Sequence, residues 1–287
     1  MAGEARDVPV EPTSPIPSKP NLTEPMSRQD DLTKIREALL GAAEAIRPFT
    51  PGAVEFEEKG SRRDPVTAAD LAADEVLRRL LPVPGEGWLS EETVDSPERL
   101  RCERVWVVDP LDGTREFVEG IPEWCISIGL VEEGNPVAGG IYSPSTDQLV
   151  LGSVETGVTL NGDRTGMTGL RSLDGAVVLA SRSEWKRGEW DRFQGAPFDV
   201  RACGSVAFKL AQVAAGLADA TWTLVPKNEW DVAGGAALVV AAGGTLMHAD
   251  GTPRTFNQPN PKLPNFLAAH ADLLGEFRDR WLDEAGA

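Results

Sequence analysis

The stretch VWVVDPLDGTREF, residues 105–117, constrains the fold of this chain more than any other. Valines around a tryptophan predict a buried strand, which ends abruptly in two aspartates, a glycine and a threonine. A strand that apolar delivers Asp109 to a sheet edge, where α/β architectures bind ligands. Asp109-Pro110 and Asp112-Gly113 are also turn dipeptides, so a plain turn and a site of gathered charge both remain open here. If the carboxylates work together, the Leu111 carbonyl lies between them. TREFVEG then predicts a short helix whose first N–H groups, at Gly113 and Thr114, suit a phosphate.

Around this stretch the pattern divides the chain. Residues 1–26 are proline-rich with little apolar periodicity, the composition of a disordered leader. Leu32, Ile35, Leu39, Ala43 and Ile46 predict an amphipathic helix, and a second opens at Thr67 with Asp70 as the partner in a capping box. Short strands follow at VWVV, CISIGLV, PVAGGIYS and LVLGSV, separated by Gly, Pro and Asn turns, which predicts an antiparallel meander. After about residue 170 strands and helices alternate, with helices expected at 204–216, 231–243 and 271–284. The expected organisation is therefore a leader at 1–26, an α+β lobe with the metal site at 27–150, and an α/β lobe carrying specificity elements at 151–287.

Charge narrows the function. At −17 the chain has no Lys/Arg stripe to displace counterions from a DNA or RNA polymer. No apolar run approaches the roughly 18 residues of a membrane helix, and no secretory signal pattern opens the chain, so the cytoplasm is the expected compartment. The three cysteines are widely spaced, which predicts free thiols. An anionic substrate for so acidic a protein calls for a bound divalent cation, and hard cations take oxygen ligands from several segments. Four segments qualify: Asp70 in VTAAD, Glu91 and Glu92 in SEET, Asp109 and Asp112 in DPLDGT, and Asp231 in NEWD. Each has an ordinary reading as well: Asp70 as a capping partner, Glu91 and Glu92 as a solvated pair, Asp231 as the N-cap of the helix it precedes.

Together these motifs resemble the inositol monophosphatase superfamily, Mg²⁺-dependent and lithium-sensitive phosphomonoesterases. WVVDPLDGTREF meets one signature throughout, WDVAGG meets another, and TAAD and SEET fill two more positions. The resemblance runs from about residue 30 to the C-terminus. It implies an α+β fold in a layered αβαβα sandwich, with two or three Mg²⁺ ions per site. Glu91, Asp109 and the Leu111 carbonyl would hold one ion, and Asp109, Asp112 and Asp231 a second. Gly113 and Thr114 would bind phosphate, and Thr114 with Asp70 or Glu91 would orient the attacking water. Lys59, 11 residues before Asp70, matches a lysine of some members; a solvated loop lysine is the ordinary alternative.

Substrate choice is read from the second lobe. Leu224 stands where inositol-specific members often place a glutamate, seven residues before Asp231. DPLDGTREF, SRS at 181–183, and Pro226 with Glu229 in PKNEWD are similar to the 3'(2'),5'-bisphosphate nucleotidase branch. That implies 3'-phosphoadenosine 5'-phosphate as substrate, with Arg182, Ser205, Lys227 and Glu229 around it. Arg182 and Lys227 read equally as surface charges, Ser205 as a helix N-cap, and Glu184 replaces a histidine common in that branch. Inositol 1-phosphate and fructose 1,6-bisphosphate are the alternatives, and an inactive metal-binding relative is the non-enzyme reading. His248 and His270 are expected to pack or face solvent. The partner is a small phosphorylated molecule, and the protein is a monomer or homodimer.

Overall fold

The computed structural model describes residues 27–59, 64–223 and 225–279. The leader at 1–26 and Leu224 lie outside them. In chain order the elements are α1 Arg28–Ile46, β1 Phe56–Lys59, β2 Asp64–Thr67, α2 Ala68–Leu80, β3 Gly87–Ser90, β4 Arg104–Asp112, α3 Thr114–Glu119, β5 Cys125–Glu132, β6 Asn135–Ser143, β7 Gln148–Ser153, β8 Gly157–Leu160 and β9 Asp163–Thr165. The second half adds β10 Val177–Ser181, α4 Arg182–Lys186, β11 Asp199–Cys203, α5 Val206–Ala214, β12 Ala220–Thr223, β13 Lys227–Asn228, α6 Glu229–Ala241, β14 Thr245–Met247, β15 Lys262–Leu263, β16 Phe266–Ala269 and α7 Ala271–Phe277.

Two sheets organise these elements. Seven strands, β3 to β9, lie in chain order, antiparallel except for the parallel pair β3 and β4. Five strands form the second sheet in the order β11-β10-β12-β16-β14, mixing parallel and antiparallel neighbours. Three separate apolar cores reveal the layers. α1 and α2 cover one face of the first sheet through Ile35, Leu39 and Leu77 against Trp106, Ile126 and Ile128. α5 and α6 fill the space between the sheets, where Leu210, Val232 and Ala236 meet Val107 and Ile141 on one side and Phe266 and Ala268 on the other. Beyond the second sheet, Trp222 packs with Trp190, Phe193 and Phe277. The order is helix, sheet, helix, sheet, helix: the αβαβα sandwich.

The two lobes meet elsewhere than expected. Residue 150 falls inside β7, and the first sheet continues to Thr165. Residues 144–147 make a hairpin within that sheet, joining β6 to β7. α6 also packs on β5 and β6, so the second half of the chain completes the first lobe's core. Small residues make that contact close. A Cβ on Gly139 would lie 2.5 Å from the Gly234 carbonyl oxygen, and one on Gly129 would lie 2.8 Å from the Ala233 carbonyl carbon. Any larger side chain would push α6 away.

Candidate active site

β4 does not simply end in a turn. It pairs with β5 at Asp109↔Ser127 and resumes at Asp112↔Cys125, so three steps on one strand oppose two on the other. This is a β-bulge, and Pro110 is tolerated there because the ladder bond it lacks is already interrupted. The bulge turns the Asp109 carboxylate inward. The Leu111 N–H donates to its Oδ1 at 3.0 Å, while Oδ2 is buried with no hydrogen-bond partner. Gly113 follows at φ +95°, and a Cβ there would come within 3.0 Å of the Glu123 carbonyl oxygen, so glycine is required twice over.

Two other segments bring carboxylates to the same place. Glu91 follows β3, the parallel neighbour of β4 in register at Ser90↔Val108. Asp231 sits in the first turn of α6, whose N-cap is Asn228. Asp231 is thus not the cap but the capping-box partner three residues on, accepting from the Asn228 N–H at 2.9 Å. The cap moved because Glu229 and Trp230 are already helical. One oxygen each from Glu91, Asp109 and Asp231 lie within 4.8 Å of one another. Burial, and then the charges of Glu91, Asp112, Asp231 and Asp70, push the Asp109 carboxyl well above its ordinary pKa. Burial, then Asp112 and Glu91, push Asp231 up to about 8. Like charges this close and this dry do not coexist as carboxylates without a cation. An all-oxygen donor set with one buried orphan oxygen fits a hard divalent ion such as Mg²⁺.

Asp112 borders the same cleft, but its Oδ2 is already taken by the Ser205 hydroxyl at 2.6 Å and the Ala207 N–H at 2.5 Å. Burial raises its pKa, and those two hydrogen bonds lower it in part. Ser205 is the N-cap of α5, accepting from Phe208 N–H at 3.0 Å, and its backbone is left-handed at φ 51°. Ser205 thus caps α5 and borders the cleft with one side chain. On the other side, Asp70 caps α2 as the sequence predicts: its Oδ2 accepts from the Thr67 N–H and hydroxyl at 2.8 and 2.6 Å. Its Oδ1 faces the Thr114 hydroxyl at 2.9 Å, with the Leu111 carbonyl 3.0 Å from the same hydroxyl. Burial raises the Asp70 pKa against the pull of those bonds.

Glu91, Leu111, Asp112, Thr114, Ser205 and Asp231 line a cleft of about 630 Å³. Six cationic side chains line it as well: Arg115, Arg182, Arg187, Lys209, Lys227 and Lys262. Arg182 is oriented by Glu123, which also accepts the Gly204 N–H, and its Nε is buried without a partner. Lys227 lies 3.4 Å from Glu184, whose carboxylate is buried between the Trp190 indole N–H at 3.2 Å and the Thr223 hydroxyl at 2.5 Å. Glu184, noted in the sequence only as a departure, therefore anchors a cleft lysine. Lys209 was missed altogether. It is buried in α5, its ammonium donates to the Ser205 carbonyl at 2.8 Å, and burial lowers its pKa. Its signal was a lone lysine in the apolar run VAFKLAQVA.

Glu229 is the clear correction. Its carboxylate accepts from the Asn257 and Gln258 N–H groups at 2.7 and 2.9 Å and is 1% exposed, so it faces a loop behind the site rather than the cleft. Helical phase decides this, since Glu229 and Asp231 are two residues apart and project to different sides. Lys59 ends β1, and its side chain lies outside the described residues. His248 meets Arg254, and His270 caps α7; neither borders the cleft. Cys102, Cys125 and Cys203 are free thiols. Among the described residues no helix is long and apolar enough to cross a membrane.

Comparison with known proteins agrees with this geometry. Residues 28–281 match the model of the inositol monophosphatase family. The chain belongs to that family. It is 35% identical over 229 residues, 75% of this chain and 85% of the relative, to inositol monophosphatase 3 of Solanum lycopersicum. The inositol monophosphatase of Anabaena (Nostoc) sp. PCC 7120 superposes with a TM-score of 0.73 at 28% identity, covering 89% of this chain and 96% of that one. CysQ from Bacteroides thetaiotaomicron, a bacterial member of the family, gives a TM-score of 0.71 at 27% identity, covering 85% and 98%. Family members are phosphomonoester hydrolases acting on small phosphorylated substrates, and generally use Mg²⁺. This chain is accordingly a phosphoric monoester hydrolase.

Proposed function

We propose that the enzyme hydrolyses a phosphomonoester that carries a second anionic group, with 3'-phosphoadenosine 5'-phosphate as the preferred substrate. The observation that carries this reading is that one cleft is lined both by clustered carboxylates and by six cationic side chains. A substrate with a single phosphate engages only the first. A bisphosphate places its reacting phosphate at the carboxylates and its other phosphate against Lys209, Lys227 and Arg182.

Glu91, Asp109, Asp231 and the Leu111 carbonyl, with the free side of Asp112, would hold two or three Mg²⁺ ions. When bound, the metal supplies positive charge that activates water near neutral pH and offsets charge on the phosphoryl oxygens. The protein's own groups do the rest. Asp70 accepts the Thr114 proton at 2.9 Å, which leaves the Thr114 oxygen to accept from the attacking water and aim it at phosphorus. The backbone N–H groups of Gly113 and Thr114 hold the phosphoryl oxygens. Ser205 keeps Asp112 in place through its 2.6 Å bond.

Inositol 1-phosphate is the second reading, favoured by the names of the relatives and structural neighbours reported above. Side-by-side kcat/KM values on 3'-phosphoadenosine 5'-phosphate, adenosine 3'-phosphate, inositol 1-phosphate and fructose 1,6-bisphosphate separate the two. The bisphosphorylated nucleotide should lead, and Lys227→Met should raise its KM by about tenfold while leaving adenosine 3'-phosphate nearly unchanged, as expected for one charged hydrogen bond. A tenfold preference for inositol 1-phosphate would overturn the proposal.

A further inference from the structure

Glu229, displaced from the cleft, belongs to a chain of bonds that runs behind it. Its two carboxylate oxygens receive the Asn257 and Gln258 N–H groups, and its own N–H donates to the Pro261 carbonyl at 2.9 Å. Asn257 passes the connection on: its side-chain oxygen accepts from Arg99 Nη1 at 2.6 Å, and its side-chain nitrogen donates to the Arg99 carbonyl at 3.2 Å. Arg99 also donates to the Gln258 carbonyl at 3.0 Å, and grips Asp95 through two bonds at 2.7 and 2.9 Å. Asp95 lies in the loop after β3 that begins with Glu91. The chain thus joins the segment bearing Asp231 to the segment bearing Glu91.

The connection is partly buried, and its central arginine is costly to place. The Arg99 side chain is 1% exposed although it is charged. Asn257 adopts φ 58°, a left-handed backbone that asparagine tolerates better than most residues. The other end of the Glu91 loop is held independently, because Asp74 of α2 accepts from the Ser90 and Thr93 hydroxyls at 2.5 and 2.9 Å. The Glu91 loop is therefore held from both sides, and the Arg99 brace reaches the segment of Asp231.

We propose that Arg99, Asn257 and Glu229 are positioning residues that set the separation of the Glu91 and Asp231 carboxylates and thereby the affinity of the site for its divalent cation. This rests on the reading of Glu91, Asp109 and Asp231 as metal ligands. Two carboxylates drawn together without a cation repel, so a brace that holds them a fixed distance apart lowers the cost of assembling the site at the moment of binding.

The test uses the full chain and Mg²⁺ alone, with affinity read by calorimetry and by the Mg²⁺-induced rise in Tm. Asn257→Gly removes two of the three bonds that join Arg99 to this loop, leaving the one to the Gln258 carbonyl, touches neither ligand segment and keeps the backbone conformation accessible. It should weaken Mg²⁺ binding by about tenfold or more while kcat at saturating Mg²⁺ stays near wild type. Glu229→Gln should shift affinity in the same direction. Wild-type affinity in a folded Asn257→Gly protein, with only the metal-free Tm lowered, would overturn the brace and leave a purely structural link. Asp109→Asn serves as the control: Mg²⁺ binding unaffected by that change would overturn the ligand reading and the brace with it.

Discussion

Two clusters of buried acids in this protein have opposite fates. Asp31 is fully buried near the start of α1, and Asp109 is 1% exposed at the end of β4. Burial is the largest influence on both and raises both pKa values. The second influence differs in sign. Asp31 sits between Arg28 at 3.0 Å and Arg104 at 2.6 Å, and those arginines reach Glu132 and Glu86 as well, so the chain supplies its own cations. The charges acting most strongly on Asp109 are four carboxylates, and one of its oxygens has no partner. The first cluster is a finished joint between α1 and the sheet. The second is stable as a charged group only when something positive arrives from outside, which is what makes it a site.

The strongest way to break this comparison is Asp109→Asn. It should lower kcat about a thousandfold or more, since several kcal/mol of charge stabilisation depend on the carboxylate, while raising the metal-free Tm by removing a buried like charge. Full activity in that variant would show that the two clusters are of one kind. Asp31→Asn should do the reverse. Breaking a buried pair from one side costs about 3 kcal/mol of stability by denaturant titration, and kcat should not change.

Titration sharpens the contrast. Asp231 has its pKa raised to about 8, so the folded metal-free protein holds a proton that the unfolded chain has lost. Metal-free stability should therefore decline as the pH rises from about 4 to about 8, and added Mg²⁺ should flatten that slope by favouring the deprotonated carboxylates. Glu132 is held below its ordinary pKa by the hydrogen bond from Arg28, so its contribution is present near neutrality and is lost as acid brings the pH down through its folded pKa. Thermal melts across the pH range, with and without Mg²⁺, should show the alkaline limb responding to metal and the acid limb indifferent to it. The smallest effect belongs to the rim of the paired cluster: Glu155, 61% exposed and 3.3 Å from Arg28, should cost no more than about 0.5 kcal/mol when changed to Gln.

Legibility followed sequence distance. The capping box at Thr67 and Asp70, the helix over Leu32 to Ile46, and the strand into DPLDGT were readable because each depends on contacts within a few residues. Asp231 converges with Glu91 and Asp109, and its alternative reading as an N-cap gives way to Asn228, which holds that position three residues earlier. Glu229 was placed in the cleft because it adjoins a signature, and helical phase turned it away. Nothing local distinguished Arg99 or Asn257, which are partners 158 residues apart, and the lone lysine of VAFKLAQVA was the one local sign of Lys209.

What the sequence determined by itself was the inventory: oxygen ligands rather than sulfur or imidazole, a glycine where only a left-handed residue fits, and small residues where α6 must approach the sheet. Those follow from the chemistry of each residue and its immediate neighbours. Only the tertiary structure decided which carboxylates converge, which cations line the same cleft, and which charges are neutralised in place. Coulomb energies and desolvation depend on distances between segments as much as 140 residues apart, from Glu91 to Asp231, and a chain acquires those distances only when its layers pack.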